Sequence, residues 1–391
     1  MKFRIKISLT GIIVAFAAMI IPADCIYAQS PECAMPVENV MATDSAEQDS
    51  RSVEFVGMPW WRQLIANGFH INDPRVNYPA FPRFLVKVYD WGDRVFNSYD
   101  PEYVVGTGKN WKVMAKNYNW FESYMLMYSF DDRLNIRSQF YTDIGAYLNF
   151  MAVSVGYTAK IGNLFGKGRS PRTNFNFSFT CSRFQGSFDL TTTKGNTHIT
   201  RLGNYHDGKH IYVPFHDISQ RSMNGHVLYF FNNYRYSHAA AYCFSKYQLK
   251  SAGTWVGGAG INYQDIEMDF ESLPDEMKSY LPGKQTKYTF KYCDYVAYGG
   301  YAYNFVLKPR RWLINVMGVP AVGYRHAYSQ SNVGSKSMFA LNGNFSCAAV
   351  YNYKALFASV NANVKAHVYF GGDYTFFNSL FSTSFTVGAR F

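Results

Sequence analysis

Residues Leu356 to Phe370 read LFASVNANVKAHVYF, and the stretch alternates without a break. Leu356, Ala358, Val360, Ala362, Val364, Ala366, Val368 and Phe370 share one face, opposite Phe357, Ser359, Asn361, Asn363, Lys365, His367 and Tyr369. One face is apolar throughout while the other carries Asn, Ser, Lys and His. Strands of a soluble sandwich average about 5 to 6 residues. A strand that crosses a bilayer needs about 9 to 11 residues of this dyad pattern, apolar toward lipid and polar toward a lumen. The stretch therefore predicts a transmembrane β-strand and sets which parity faces lipid.

The same alternation closes the chain. In FSTSFTVGARF, Phe381, Thr383, Phe385, Val387, Ala389 and Phe391 oppose Ser382, Ser384, Thr386, Gly388 and Arg390. A strand ending on Phe resembles the closing strand of bacterial outer-membrane β-barrels. That resemblance implies that insertion machinery reads Phe385, Val387 and Phe391. Further runs of period two begin near Trp111. Thr173 to Cys181, Trp255 to Tyr263, Tyr295 to Leu307, Trp312 to Tyr324 and Phe345 to Tyr353 all alternate. Pro320 demands a bulge or a strand end, and a parity change at Phe150 and Met151 predicts a bulge within Ile144 to Ile161. Short joints at Asp131 to Arg133 and Tyr353 to Ala355 contrast with long segments at Thr193 to Ser222, Asp269 to Lys287 and Ala327 to Lys336, which read as extracellular loops.

Composition fits this reading. Aromatic residues make up 18% of the chain, with 32 Tyr and 33 Phe, as aromatic girdles at both membrane interfaces require. Lys2, Arg4 and Lys6, then apolar Leu9 to Ile21 and a small residue at Ala28, read as a cleaved signal peptide over 1–28. Asp24 argues against a lipoprotein anchor on Cys25. Residues 29–55 are polar, acidic and aperiodic, as a disordered periplasmic leader would be. Segment 56–110 holds two helical patterns, Pro59 to Ala66 and Phe84 to Phe96, which would sit below the barrel or plug it. Residues 111–391 form the barrel. The net charge is +11, falling to +9 without Lys2, Arg4, Lys6 and Asp24, and is better assigned to lumen, loops and anionic lipid than to nucleic acid. Beyond Cys25 the five cysteines have no CxxC spacing, so neither a disulfide framework nor a cysteine metal site is expected.

Three blocks resemble the family catalogued as DUF4421, outer-membrane proteins with no assigned activity. They are VKVYDWGDRVFNSYDPEYVVGTGKNWKV (Val86 to Val113), NYRYSHAAAYCFSKYQLKSAGT (Asn233 to Thr254) and GGYAYNF (Gly299 to Phe305). The order His238-Ala239-Ala240-Ala241 departs from a bulkier or proline-containing pattern, which bears on packing. The resemblance implies a barrel and no chemistry.

Candidate sites are few. Gly106-Thr107-Gly108-Lys109 lacks the spacing of a phosphate loop and reads as a turn. His198, His206, His210 and His216 with Asp207 and Asp217 could crowd round a divalent ion, but Gly203 and Gly208 break the segment, so no metal site is assigned. Neither His226 nor His367 has a carboxylate spaced to orient it for hydrolysis, so no catalytic residue or cofactor is assigned. Arg311, Arg325, Lys365, His367 and Arg390 are expected to face the lumen. There they either favour anionic solutes or pair internally.

The sequence thus predicts an all-β, antiparallel transmembrane barrel of about 12 strands (range 10 to 14) with two short N-terminal helices, in a Gram-negative outer membrane. A structural or porin-like small-solute role comes first. A lipid-modifying barrel hydrolase and a surface binding or adhesion protein, with a ligand on its long loops, are the alternatives.

Overall fold

The computed structural model describes residues 57–67, 73–80, 82–84, 86–87, 98–109, 111–129, 131–150, 153–160, 172–329, 331, 337–370 and 374–391. The expected signal peptide and leader lie outside these, and the helix expected over Phe84 to Phe96 is described, as helical, only at 84 and 86–87. The first expected helix is present as α1 (Trp60–Ala66), starting after Pro59. Gln63 ties it to its neighbours, donating to the Met58 carbonyl at 2.6 Å and accepting from the Asn77 N–H at 2.9 Å.

A short strand β1 (Val104–Gly106) leads into β2 (Trp111–Met127), β3 (Arg133–Ser138), β4 (Tyr141–Phe150), β5 (Val153–Lys160), β6 (Arg172–Thr180), β7 (Phe184–Lys194), β8 (Thr197–Leu202), β9 (Val213–Phe215) and β10 (Ile218–Phe230). After α2 (His238–Tyr242) come β11 (Lys246–Gln248), β12 (Ala252–Asp269), α3 (Asp275–Lys278), β13 (Lys287–Lys308), β14 (Trp312–Ala327), β15 (Ser337–Tyr353), β16 (Leu356–Phe370) and β17 (Thr375–Arg390). All ladders are antiparallel, and β17 pairs back on β2 from Thr375↔Met127 to Arg390↔Lys112. At that last pair Trp111 and Phe391 exchange backbone hydrogen bonds of 3.1 and 3.0 Å. We call this the terminal end and its opposite the loop end.

The ring differs at its two ends. At the loop end it closes through β2, β3, β8, then β9 running on into β10, then β12 to β17: ten strand paths. At the terminal end β4 and β7 continue β3 and β8, and β5 on β4 and β6 on β7 stand between them, making twelve. Among the described residues no ladder joins β5 to β6. The bend between β7 and β8 falls at Gly195 (φ 63°) and Asn196 (φ 53°), two residue types that tolerate the left-handed region.

Three local expectations are corrected. The parity change near Phe150 is a hairpin rather than a bulge, since Phe150 pairs with Val153 and the chain reverses into β5. Thr193 to Ser222 is mostly strand, because β8, β9 and the start of β10 extend the wall and leave only 203–212 as a tip. Pro320 causes neither a bulge nor a strand end. It lies inside β14 opposite Gly343, and the ladder to β13 merely skips Gly299 and Gly300 and resumes in the same register. Proline lacks the N–H that ladder needs, and Gly300 lets the backbones close up: an added Cβ would lie 2.1 Å from the Gly318 carbonyl oxygen.

The faces follow the predicted parity. Val360, Phe345, Tyr295, Tyr301, Trp255 and Phe385 are exposed, whereas Ser359, Tyr369, Asp294, Thr254 and Thr386 are buried inside. At the loop end the interior is filled by an apolar core that includes Tyr124, Leu134, Ile199, Phe215, Ile266, Phe290 and Phe376. Phe270, Leu273, Met277 and Leu281, from the segment around α3, fold into the same core.

Candidate functional site

Two lumen cations are paired with lumen acids. Asp294 on β13 faces Arg325 on the neighbouring β14, receiving Nε at 2.5 Å and Nη2 at 2.7 Å. Both side chains are fully buried. The same carboxylate accepts from Asn262 and Asn342, each at 3.1 Å. Tyr292 and Tyr369 cover the guanidinium, with ring centroids 3.8 and 4.9 Å away. A buried charge is tolerable only when paired and hydrogen-bonded; the pair meets this through Nε, Nη2 and the two amides, with Arg325 Nη1 alone buried without a partner among the described residues. His367 meets Asn262 through Nδ1 at 3.1 Å. Nearer the terminal end Lys365 on β16 reaches Asp189 on β7 at 3.1 Å, across the lumen. Arg325 and Lys365 are thus internal cross-links.

The terminal end is occupied by the chain segment between β10 and β12. Ser237 caps α2 by accepting from the Ala240 N–H at 3.3 Å, and Ala240 and Ala241 pack against Leu313, Ala348 and Val350 of the wall. The small residues of His238-Ala239-Ala240-Ala241 are what lets this turn of helix fit inside. The wall supplies donors to the segment's open carbonyls: Lys112 to Cys243 at 2.6 Å, Arg390 Nε to Phe244 at 2.7 Å, and Asn304 to Ser237 at 3.0 Å. Arg390 Nη2 also reaches Asn352 Oδ1 at 2.6 Å. Tyr242 hydrogen-bonds Asn315 and Ser346 at 2.8 and 3.0 Å. The segment is a plug bonded to the wall on several sides.

The arm before β2 holds the plug from outside. β1 pairs with β11, the Asp100 N–H donates to Tyr234 at 2.9 Å, and Leu249 donates to Tyr103 at 2.7 Å. Lys250 pairs with Glu102 at 2.7 Å. The described parts of the three blocks that carry the family resemblance thus meet here as arm, plug and the stretch of β13 beside them. Gly106-Thr107-Gly108 forms the turn out of β1, with Gly108 at φ 69° and Thr107 bonded to the Ser245 carbonyl at 3.2 Å.

Arg311 does not join the lumen set. It sits in the turn between β13 and β14, exposed, with its guanidinium 6.0 Å from the Tyr353 ring. The histidines of 198–216 are spread: His198 stacks on Tyr212 at 4.5 Å and His206 stands edge-on to Tyr205. Among the described residues no three His, Cys, Asp or Glu side chains converge on a metal position. Ser187 lies 3.2 and 3.3 Å from the two ring nitrogens of His226. Near-equal distances put its oxygen broadside to the ring instead of on a lone pair, and Asp189 beside it is committed to Lys365 and Asn176. Asp131, Asp132, Gly203, Asn204 and Ser279 to Leu281 line a cleft of about 520 Å³ at the loop end.

Sequence reading missed the acids Asp294 and Asp189 and the plug itself. The signal was available for the acids: both stand on the polar parity of their strands, and lumen cations of a filled barrel need counter-charges. No local pattern marks the plug, whose contacts are made with residues such as Lys112 and Arg390, more than a hundred positions away.

A family model described as a domain of unknown function, DUF4421, matches residues 98–391. No curated protein matches. Among solved structures the chain is similar to the outer membrane protease OmpT from Escherichia coli, at 8% identity, over 73% of this chain and 98% of that one, with TM-score 0.31. A bacterial polysaccharide outer membrane secretin gives 8% identity over 72% and 99%, with TM-score 0.29. The toluene transporter TodX of P. putida gives 9% over 72% and 90%, with TM-score 0.27. Likeness at this level adds nothing to what the ladders themselves show.

Proposed function

This chain belongs to the DUF4421 family, and we propose that it is a sealed outer-membrane β-barrel with a structural role and no standing solute channel. The observation that carries this reading is the filled lumen: an apolar core at the loop end, paired charges in the middle and a bonded plug at the terminal end. The membrane assignment is supported by the outer surface. On β13 the outward residues from Tyr295 to Phe305 are Ala297, Gly299, Tyr301 and Tyr303, an apolar and aromatic band with Tyr295, Tyr301 and Phe305 exposed. Ten residues at about 3.3 Å, tilted by about 40°, give a band about 25 Å tall, the height of a barrel's apolar belt. Apart from the plug connection, the joints at the terminal end are short turns, such as those after β13 and β15, while β8–β9 and β12–β13 are longer at the other, which would place the termini in the periplasm.

The reading is tested by single-channel recording in planar bilayers. The intact protein should be electrically silent, and Lys112→Ala/Arg390→Ala, which strips donors from the plug, should show intermittent openings. Steady conductance from the intact protein would refute the sealed barrel and restore the porin-like reading. A second reading, a surface binding protein, is favoured by the loop-end cleft at Asp131, Asp132 and Asn204. It predicts that a ligand captured by the folded protein is lost in Asp131→Ala/Asn204→Ala.

A further inference from the structure

Two neighbouring turns at the terminal end carry cations where backbone geometry disfavours them. Arg310 in the β13–β14 turn has φ 59°, and Lys354 in the β15–β16 turn has φ 52°. Left-handed turn positions usually go to Gly, Asn or Asp, because a longer side chain clashes there. The turns abut, since the Asn352 N–H donates to the Arg311 carbonyl at 2.8 Å. Lys308, Arg310, Arg311 and Lys354 are all exposed on or beside these adjoining turns. Arg311 and Lys354 flank the same Tyr353 ring, at 6.0 and 5.8 Å. No ion pair among the described residues involves any of the four, whereas loop-end Lys278, Lys287 and Lys291 all pair with acids. Just beyond the charges the outer wall presents Phe305, Leu307, Trp312 and Leu356, all exposed.

Strained cations left unpaired at the edge of an apolar band call for an anion at interface depth with hydrocarbon attached. We propose that these two turns bind the phosphate of an anionic phospholipid in the leaflet at the terminal end, its acyl chain lying along Leu307, Phe305 and Leu356. Two guanidinium groups can grip phosphate oxygens bidentately, and the lysines add point charge. The inference rests on the membrane reading above.

The test uses the full chain folded into bilayers, with folding read from its heat-dependent migration in SDS gels. After transfer to detergent, native mass spectrometry compares retention of phosphatidylglycerol with that of phosphatidylcholine. The intact protein should favour phosphatidylglycerol. Arg310→Asn/Lys354→Asn, which also relieves both turns and should still fold, should reduce that preference by roughly five-fold for each cation removed. Lys278→Gln/Lys287→Gln at the loop end should leave it unchanged. A folded protein that holds both lipids equally, or a preference untouched by the turn variant, overturns the site. Displacement of the lipid by inorganic phosphate alone would reassign it to a free anion. Failure to insert at all would instead bring down the membrane reading, and this inference with it.

Discussion

Replacing Arg325 and Asp294 singly and together separates a structural cross-link from a functional charge. Both side chains are wholly buried and joined at 2.5 and 2.7 Å. Arg325→Met leaves the carboxylate with only the Asn262 and Asn342 donors, and Asp294→Asn leaves a buried guanidinium facing a neutral amide. Breaking one side of a buried pair costs about 3 to 5 kcal/mol. Loss of cation–π contact with Tyr292 and Tyr369 adds up to about 2 kcal/mol to the arginine variant, of which a Met sulfur against the rings recovers about 0.3 to 1.5 kcal/mol. The double variant removes both charges, while the amide oxygen that replaces the carboxylate can still accept from Asn262 and Asn342. It should therefore lie within about 2 kcal/mol of the parent, giving a coupling of at least about 4 kcal/mol. Urea unfolding of protein inserted in lipid vesicles, followed by tryptophan fluorescence, measures all four corners. Additive losses, with the double variant as damaged as the two singles combined, would show that the pair is not the cross-link described here.

Three further outcomes rest on the same geometry. Val364→Arg faces outward and should destabilise the folded protein in vesicles by about 2 to 4 kcal/mol at mid-depth. Asn363→Arg, pointing inward where Asn363 donates to Asn344 at 2.8 Å, should cost less; the reverse order would mean the faces are inverted. Gly299→Ala has open space around its Cβ and should leave the urea midpoint unchanged, whereas Gly300→Ala meets the Gly318 carbonyl and should cost about 1 to 3 kcal/mol; equal midpoints would refute the close backbone approach at Pro320. Arg390→Ala removes the donor to the Phe244 carbonyl, so hydrogen exchange should speed up over 238–248 while β13 stays protected; unchanged exchange would show that the wall does not hold the plug.

The antiparallel class, the faces of the long alternating strands and the approximate strand number are written in the residues alone. The reason is local: in an extended chain side chains alternate strictly, so the run from Leu356 to Phe370 or Phe381 to Phe391 states its own inside and outside, whatever it pairs with. Helix α1 was legible for the same kind of reason, with Pro59 setting its start. What the inward faces meet was settled by three-dimensional packing. Lys365 finds Asp189, 176 positions earlier, and Arg390 finds Phe244, 146 positions earlier. These distances depend on the stagger and closure of the whole ring, which no alternation encodes. The exchange of β3–β8 pairing at one end for β4–β5 and β6–β7 at the other belongs to the same class, because it turns on where Gly195 and Asn196 bend a strand. Arg311 shows the limit most plainly: its parity put it with the lumen cations, but the strand starts one residue later, at Trp312, and the turn carries the side chain to the rim.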